Sequence, residues 1–360
     1  MPDVTDLPEA LTHGPSREHL LTVGLPESGA FLEFGAPVSS PTGGGRWLVL
    51  GEAAYGDSVV LDGATGELWL GEGADPEAGG DLLASSLPAL VALIREVEAV
   101  ATGAADPDAH GGRRGAVVAD AVVAAAEQRM RAVDGPLFAR TARPAHWCTA
   151  LLVASLAWGA RPGEPGGPAY VFEPDLVADL ARLVGDDGGV VRRYRAEDLP
   201  AELTHEPTRR LLVEAGLPLD SEMLGVDPDE PLTTMARPHS DRLALAYWPH
   251  DLVIGLDGAT GRLELPDLYD AGDPALYLHR DLSALLYALW TYERLRADWE
   301  RWEYGDDEGE GEDWQVFDPQ ALLRAVVDEL VERVDPEAWA TPRHSWRLLA
   351  EDPYTGGLLA

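Results

Sequence analysis

The chain has 360 residues, 46% of them hydrophobic and 25% charged, the balance of an ordinary soluble globular protein and not of a disordered one. Its 63 acidic residues outnumber 27 basic ones, and the net charge of -36 repels nucleic acid and anionic membranes while favouring cationic partners. Cys148 is the only cysteine, so an internal disulfide and a cysteine-rich zinc site are excluded, and the cytoplasm is the expected compartment.

The N-terminus MPDVTDLPEA has neither a basic start nor an apolar run, so no secretory signal is expected. Thr12 or Ser16 is placed to cap a short helix running to Val23, with Pro15 in its first turn and Gly24 ending it. A Gly/Pro/Ser-rich loop leads to three expected antiparallel strands at 46–52, 58–62 and 67–72, with Asp62-Gly63 and Gly66 supplying positive-φ positions in the last turn. A helix follows from Ser85 or Ser86 to about Val100, with Leu87, Leu90, Val91 and Ile94 on one face.

Next come a linker at 101–114 and helices expected at 115–133, 145–158 and 173–183. The apolar run from Trp147 to Gly159 is too short to span a bilayer. The segment 189–195 is expected to lead a second set of elements: a helix at 207–215, strands at 242–248, 251–257 and 262–265, and a helix at 282–302. An acidic run at 303–313 and an amphipathic helix at 319–334 complete the chain.

The order repeats because the sequence repeats. DLPEALTHGPSREHLLTVGLP (6–26) and DLPAELTHEPTRRLLVEAGLP (198–218) are identical at 12 of 21 positions. LDGATG occurs whole at 61–66 and again at 256–261, so the offset is 192 residues in the first block and 195 in the second. Two copies of one module follow from that constancy. Strands followed by a helix, without βαβ alternation, indicate an α+β fold: two modules, each an antiparallel sheet with flanking helices, joined by a helical spacer. The expected boundaries are 1–104 for the first module, 105–188 for the spacer, 189–303 for the second module, and 304–360 for the acidic linker and last helix.

Two signatures within each copy resemble the SUKH superfamily of bacterial immunity proteins, and specifically its fourth group. One is the string Pro15, Ser16, Arg17, Leu20, Leu21, Gly24, Leu25, Pro26, matched by Pro207, Thr208, Arg209, Leu211, Leu212, Gly216, Leu217, Pro218. The other is the Leu-Asp-x-x-Thr-Gly hairpin followed by Ser85, Ser86 and Leu87, where the second copy has Arg280, Asp281 and Leu282. The resemblance implies an α+β fold, no catalysis, and neutralisation of a protein toxin by direct binding, with nucleases and nucleic-acid deaminases among the toxin classes.

The residues themselves form no catalytic, cofactor or metal constellation that outweighs a structural explanation. His13 and His205 recur at a helix start, where capping or packing is the stronger reading than a general base. Asp106 and Asp108 with His110, and Asp227 with Asp229, fit turn chemistry better than metal ligation. Cys148, beside Trp147 and His146, reads as a small buried hydrophobe, and the absence of lysine excludes a P-loop. The residues expected to meet a cationic protein toxin are the aromatics Trp47, Tyr55, Trp69, Tyr247 and Trp248 and the acidic Asp306, Asp307, Glu308 and Glu310. A regulatory or scaffolding protein built on the same fold is the alternative, and an enzyme using the two histidine positions ranks third.

Overall fold

The structure, a computed structural model, describes residues 7–40, 45–54, 56–71, 80–185, 189–219, 221, 223–266, 274–304, 317–351 and 358–359. The chain divides into two compact units, one of Met1–Ala109, Asp120–Ser155 and Trp302–Leu322, the other of His110–Ala119, Leu156–Arg301 and Leu323–Ala360. Each holds an antiparallel sheet whose strands pair in sequence order, with helices around it, so the protein is α+β as the element order predicted.

In the first unit α1 (Gly14–Thr22) precedes six strands: β1 (Ser28–Gly29), β2 (Leu32–Ser39), β3 (Trp47–Ala53), β4 (Ser58–Asp62), β5 (Leu68–Gly71) and β6 (Gly80–Ala84). Then follow α2 (Leu87–Gly103), α3 (Ala116–Val133), α4 (Gly135–Arg140) and α5 (Ala145–Ser155). Successive side chains on a strand point to opposite faces. One cross-strand row, Leu48, Leu61, Leu68 and Ala84, is fully buried and shares the core with Leu87, Leu90, Leu93 and Ile94 of α2. Each such leucine is worth roughly 1.5–3 kcal/mol relative to exposure. Ser86 caps α2, its hydroxyl accepting from the Ala89 amide at 3.3 Å. α5 packs along α2, and the Trp147 indole donates to the Leu83 carbonyl at 2.9 Å, tying α5 to β6.

The stretch expected as a loop before β3 forms β1 and β2 instead. Gly35 and Pro37 interrupt the alternation, and the register slips between Phe34 and Val38, so no period of two is visible in the sequence. The strand forms because it covers the otherwise open edge of β3. Thr12 and Ser16 do not cap α1, whose N-cap is His13 without a side-chain bond.

The second unit contains β7 (Arg161–Pro162), β8 (Tyr170–Val171), α6 (Asp175–Val184), β9 (Val191–Arg192), α7 (Glu206–Glu214) and β10 (Leu217–Pro218). Its main sheet is β11 (Thr233–Thr234), β12 (Leu243–Trp248), β13 (Leu252–Leu256), β14 (Leu263–Leu265) and β15 (Leu276–His279). α8 (Leu282–Tyr304), α9 (Pro319–Val334) and α10 (Arg347–Glu351) follow. The expected leading strand at 189–195 shrinks to β9, which pairs with β10 in a separate two-stranded ladder. From Ala284 to Trp290 every residue of α8 is buried, as expected of a helix that is apolar all round. Asp281 caps it, accepting from the Ala284 amide at 3.0 Å in the position Ser86 holds in the first copy. On α6, Asp179 accepts from Trp290 Nε1 at 2.9 Å and Arg294 Nη2 at 2.7 Å. Burial alone would raise the Asp179 pKa, but Arg294, Arg182 and Trp290 outweigh it and hold the carboxyl below its ordinary range.

Candidate interaction surface

The two repeated strings meet in space, and in the same way in each copy. The Thr12 and His13 amides donate to the Gly63 carbonyl at 2.9 and 2.7 Å, and the Thr204 and His205 amides donate to the Gly258 carbonyl at 2.8 Å each. His13 Nδ1 lies 2.8 Å from the Ser16 hydroxyl, and His205 Nδ1 lies 2.8 Å from that of Thr208. Each ring closes over a glycine of positive φ, +82° at Gly66 and +81° at Gly261, where a Cβ would sit 2.2 Å from the imidazole. Gly63 has no positive φ, contrary to expectation, and its need is space: a Cβ there would lie 2.2 Å from the Ala10 carbonyl oxygen. Asp62 and Asp257 close the turns by accepting from the amides two and three residues on. Burial raises the Asp62 pKa, but Arg46 and these amides bring it down to about 2. The repeated histidines therefore clamp a helix start onto a hairpin, and their contacts are structural.

A third equivalence appears only in space. Asp134 Oδ2 accepts from the Ser85 amide at 2.7 Å in the first unit, and Asp335 Oδ2 from the Arg280 amide at 2.8 Å in the second. Both aspartates are buried, and each directly follows a long helix, α3 or α9.

The copies differ on the sheet face opposite the buried leucine row. In the first unit Val38, Val49, Val60, Trp69 and Leu82 are paired strand to strand, and Trp47 shares their face. Val60 is buried, Val49, Trp69 and Leu82 are half-buried, and Val38 is 61% exposed. Arg46 lies over the Trp47 ring at 4.8 Å and Arg140 over Trp69 at 5.6 Å, a cation–π arrangement. Arg140 also donates to Glu67 at 2.8 Å. The indole nitrogens of Trp47 and Trp69 have no hydrogen-bond partner among the described residues. On the same face Glu33 stands directly opposite Glu52, both exposed and neither in an ion pair among the described residues.

The matching row of the second unit is Thr233, Ala244, Gly255, Glu264 and Tyr277. Arg242, in the place of Trp47, donates to Glu264 at 3.1 Å, and Arg262 donates to the same carboxylate at 2.7 Å. The Tyr277 hydroxyl donates to Asp335 at 2.9 Å, and burial together with that carboxylate pushes its pKa far up. This face is polar and satisfied within its own unit.

The expected contact residues fall in different places. Trp47 is 4% exposed and Trp248 1%, so both are core side chains with almost no area to offer. Trp248 donates to the Ser345 carbonyl at 3.2 Å and sits edge-on to Trp346. Trp69 lies half-buried beneath Arg140, and Tyr247, 38% exposed, borders a shallow groove with Arg192, Tyr194, Glu230 and Leu232. Tyr55, Asp306, Asp307, Glu308 and Glu310 lie outside the described residues. Sequence reasoning passed over Glu33, Val38, Val49, Glu52 and Leu82, for which strand register is the signal and no local motif exists. Asp106 and Asp227 accept from the amides two residues on, at 2.9 and 2.8 Å, as turn residues do. Among the described residues no cluster of three or more His, Cys, Asp or Glu is placed to hold a metal, and no helix is long and apolar enough to cross a membrane.

A duplicated α+β module with this meander is thus the class of protein the fold defines. The chain matches the family described as SUKH-4 immunity protein over residues 3–153 and again over 176–352, and it belongs to that family. Comparison with curated proteins and with solved structures gives no match.

Proposed function

We propose that the protein is a non-enzymatic immunity protein that binds a bacterial toxin in the cytoplasm and blocks it by direct contact. The observation that carries this reading is the family match over both copies. The engagement of His13 and His205 in a structural clamp supports binding over catalysis. The net charge of -36 supports a cationic toxin, since complementary fields raise association rates and reject acidic competitors. A nuclease or nucleic-acid deaminase fits, because such an enzyme presents a basic groove to phosphate. We read each module as extending to its buried aspartate, Asp134 or Asp335, which assigns the helix before it to the same copy. Sequencing the neighbouring genes for a toxin domain and co-expressing that domain with this chain tests the function: restored growth is expected, and continued killing at matched expression overturns it.

A further inference from the structure

We infer that the second face of the first sheet is the docking surface, and that it takes a cationic protein segment placing an arginine or lysine between Glu33 and Glu52 and an apolar side chain over Val38 and Val49, beside the Trp69 ring that Arg140 already covers. This deepens the function proposed above and rests on it for the kind of partner.

Like charges directly opposite on neighbouring strands destabilise a sheet. Glu33 and Glu52 are such a pair, exposed and without a cation among the described residues. A cation delivered by a partner removes that repulsion and turns it into attraction, so the pair is better suited to the complex than to the free protein. Val38, 61% exposed, continues the apolar row into solvent.

The second unit serves as an internal control. Its five strands pair in the same order as β2 to β6, yet its row has no large aliphatic side chain, its one carboxylate Glu264 is matched by Arg242 and Arg262, and at the pair corresponding to Glu33 and Glu52 it has Gly225 opposite Tyr247. The fold therefore does not require an apolar row or unmatched carboxylates at these positions. Their presence in one copy alone points to an interaction made by that copy.

The test uses the full chain and a fluorescein-labelled eight-residue peptide of alternating arginine and leucine, with a glutamate-for-arginine peptide as the negative probe. Since nonspecific attraction to a strongly acidic protein is expected, E33Q/E52Q is compared with E197Q/E202Q, an equal change of charge at exposed positions of the second unit. The wild type should bind the basic peptide, E33Q/E52Q should weaken binding about tenfold or more, and E197Q/E202Q should leave it nearly unchanged. Val38→Asp should weaken it as well, through the apolar half of the surface. E33Q/E52Q should also melt at a higher temperature than the wild type, which shows that lost binding is not lost folding. Equal weakening by the two double variants, or no binding by the wild type, overturns the inference. If binding is lost only in E33Q/E52Q while co-expression fails to rescue growth, the face stands and the toxin reading falls; rescue with indifferent peptide binding gives the reverse.

Discussion

Gly66 and Gly261 hold φ near +80° with a histidine ring 2.2 Å from where a Cβ would be, so each refuses a side chain for two reasons at once. Gly66→Val is expected to lower stability by at least about 1 kcal/mol, read as a fall in the urea midpoint. Gly35→Ala, at a position with nothing within 4 Å of the added carbon, should move the midpoint little. A second residue sets a pH dependence. His146 is buried edge-on to Trp147 and Phe317 at 4.8 and 5.1 Å, and burial pushes its pKa down to about 3, partly opposed by the Ala30 backbone. Because the folded pKa lies below the unfolded value of about 6.5, the unfolded state binds more protons between them. The stability tied to the neutral ring is complete above about pH 6.5 and is lost as pH falls toward 3, at a slope near 1.4 kcal/mol per pH unit. His146→Phe should flatten the stability profile between about pH 6.5 and 5, above the range where carboxylates titrate. An identical profile for wild type and variant would remove His146 from the account.

At the scale of elements, the buried aspartates after α3 and α9 fasten a long helix to the start of α2 or α8. Asp335→Ala strips the acceptor from the Arg280 amide and the Tyr277 hydroxyl, and Asp134→Ala from the Ser85 and Leu137 amides. Each is expected to cost roughly 2 kcal/mol or more, because charge-assisted bonds are lost and buried donors left unmade. Chemical denaturation of the single variants checks this, and an unchanged midpoint would show that the helix is held by other contacts. The sequence hides this equivalence. Only Val133-Asp134 and Val334-Asp335 recur, and the offset has slipped to 201 from the 195 that LDGATG keeps. β2 and β6 were hidden for a related reason: their register with β3 and β5 is irregular, so neither shows a clean alternation.

For the whole molecule, the net charge of -36 predicts an association rate with the toxin that falls steeply with salt. Changing Asp306, Asp307, Glu308 and Glu310 to Asn or Gln should slow association at low salt, with the difference vanishing at high salt, as for charges that steer. E33Q/E52Q should instead act mainly on the dissociation rate, as for charges in contact. Stopped-flow association and dissociation at two salt concentrations separate these effects. Salt-independent association by wild type and both variants would sink the electrostatic account and leave the fold untouched.

The sequence by itself determined the duplication, the α+β class, most of the helices and the central strands of both sheets. Those features rest on local signals, namely the repeated turn residues, the N-caps and the apolar periodicities, which act within a few residues and survive in the string. It also singled out His13 and His205, whose recurrence was plain but whose work was not, because the glycine each one covers lies some 50 residues away. Only the tertiary structure decided that Trp47 and Trp248 are core side chains, and that Glu33 faces Glu52. Only it aligned the apolar row of one sheet with the polar row of the other. Which residues share a face is set by register between strands distant in sequence, and one bulge exchanges inside for outside without altering any local pattern.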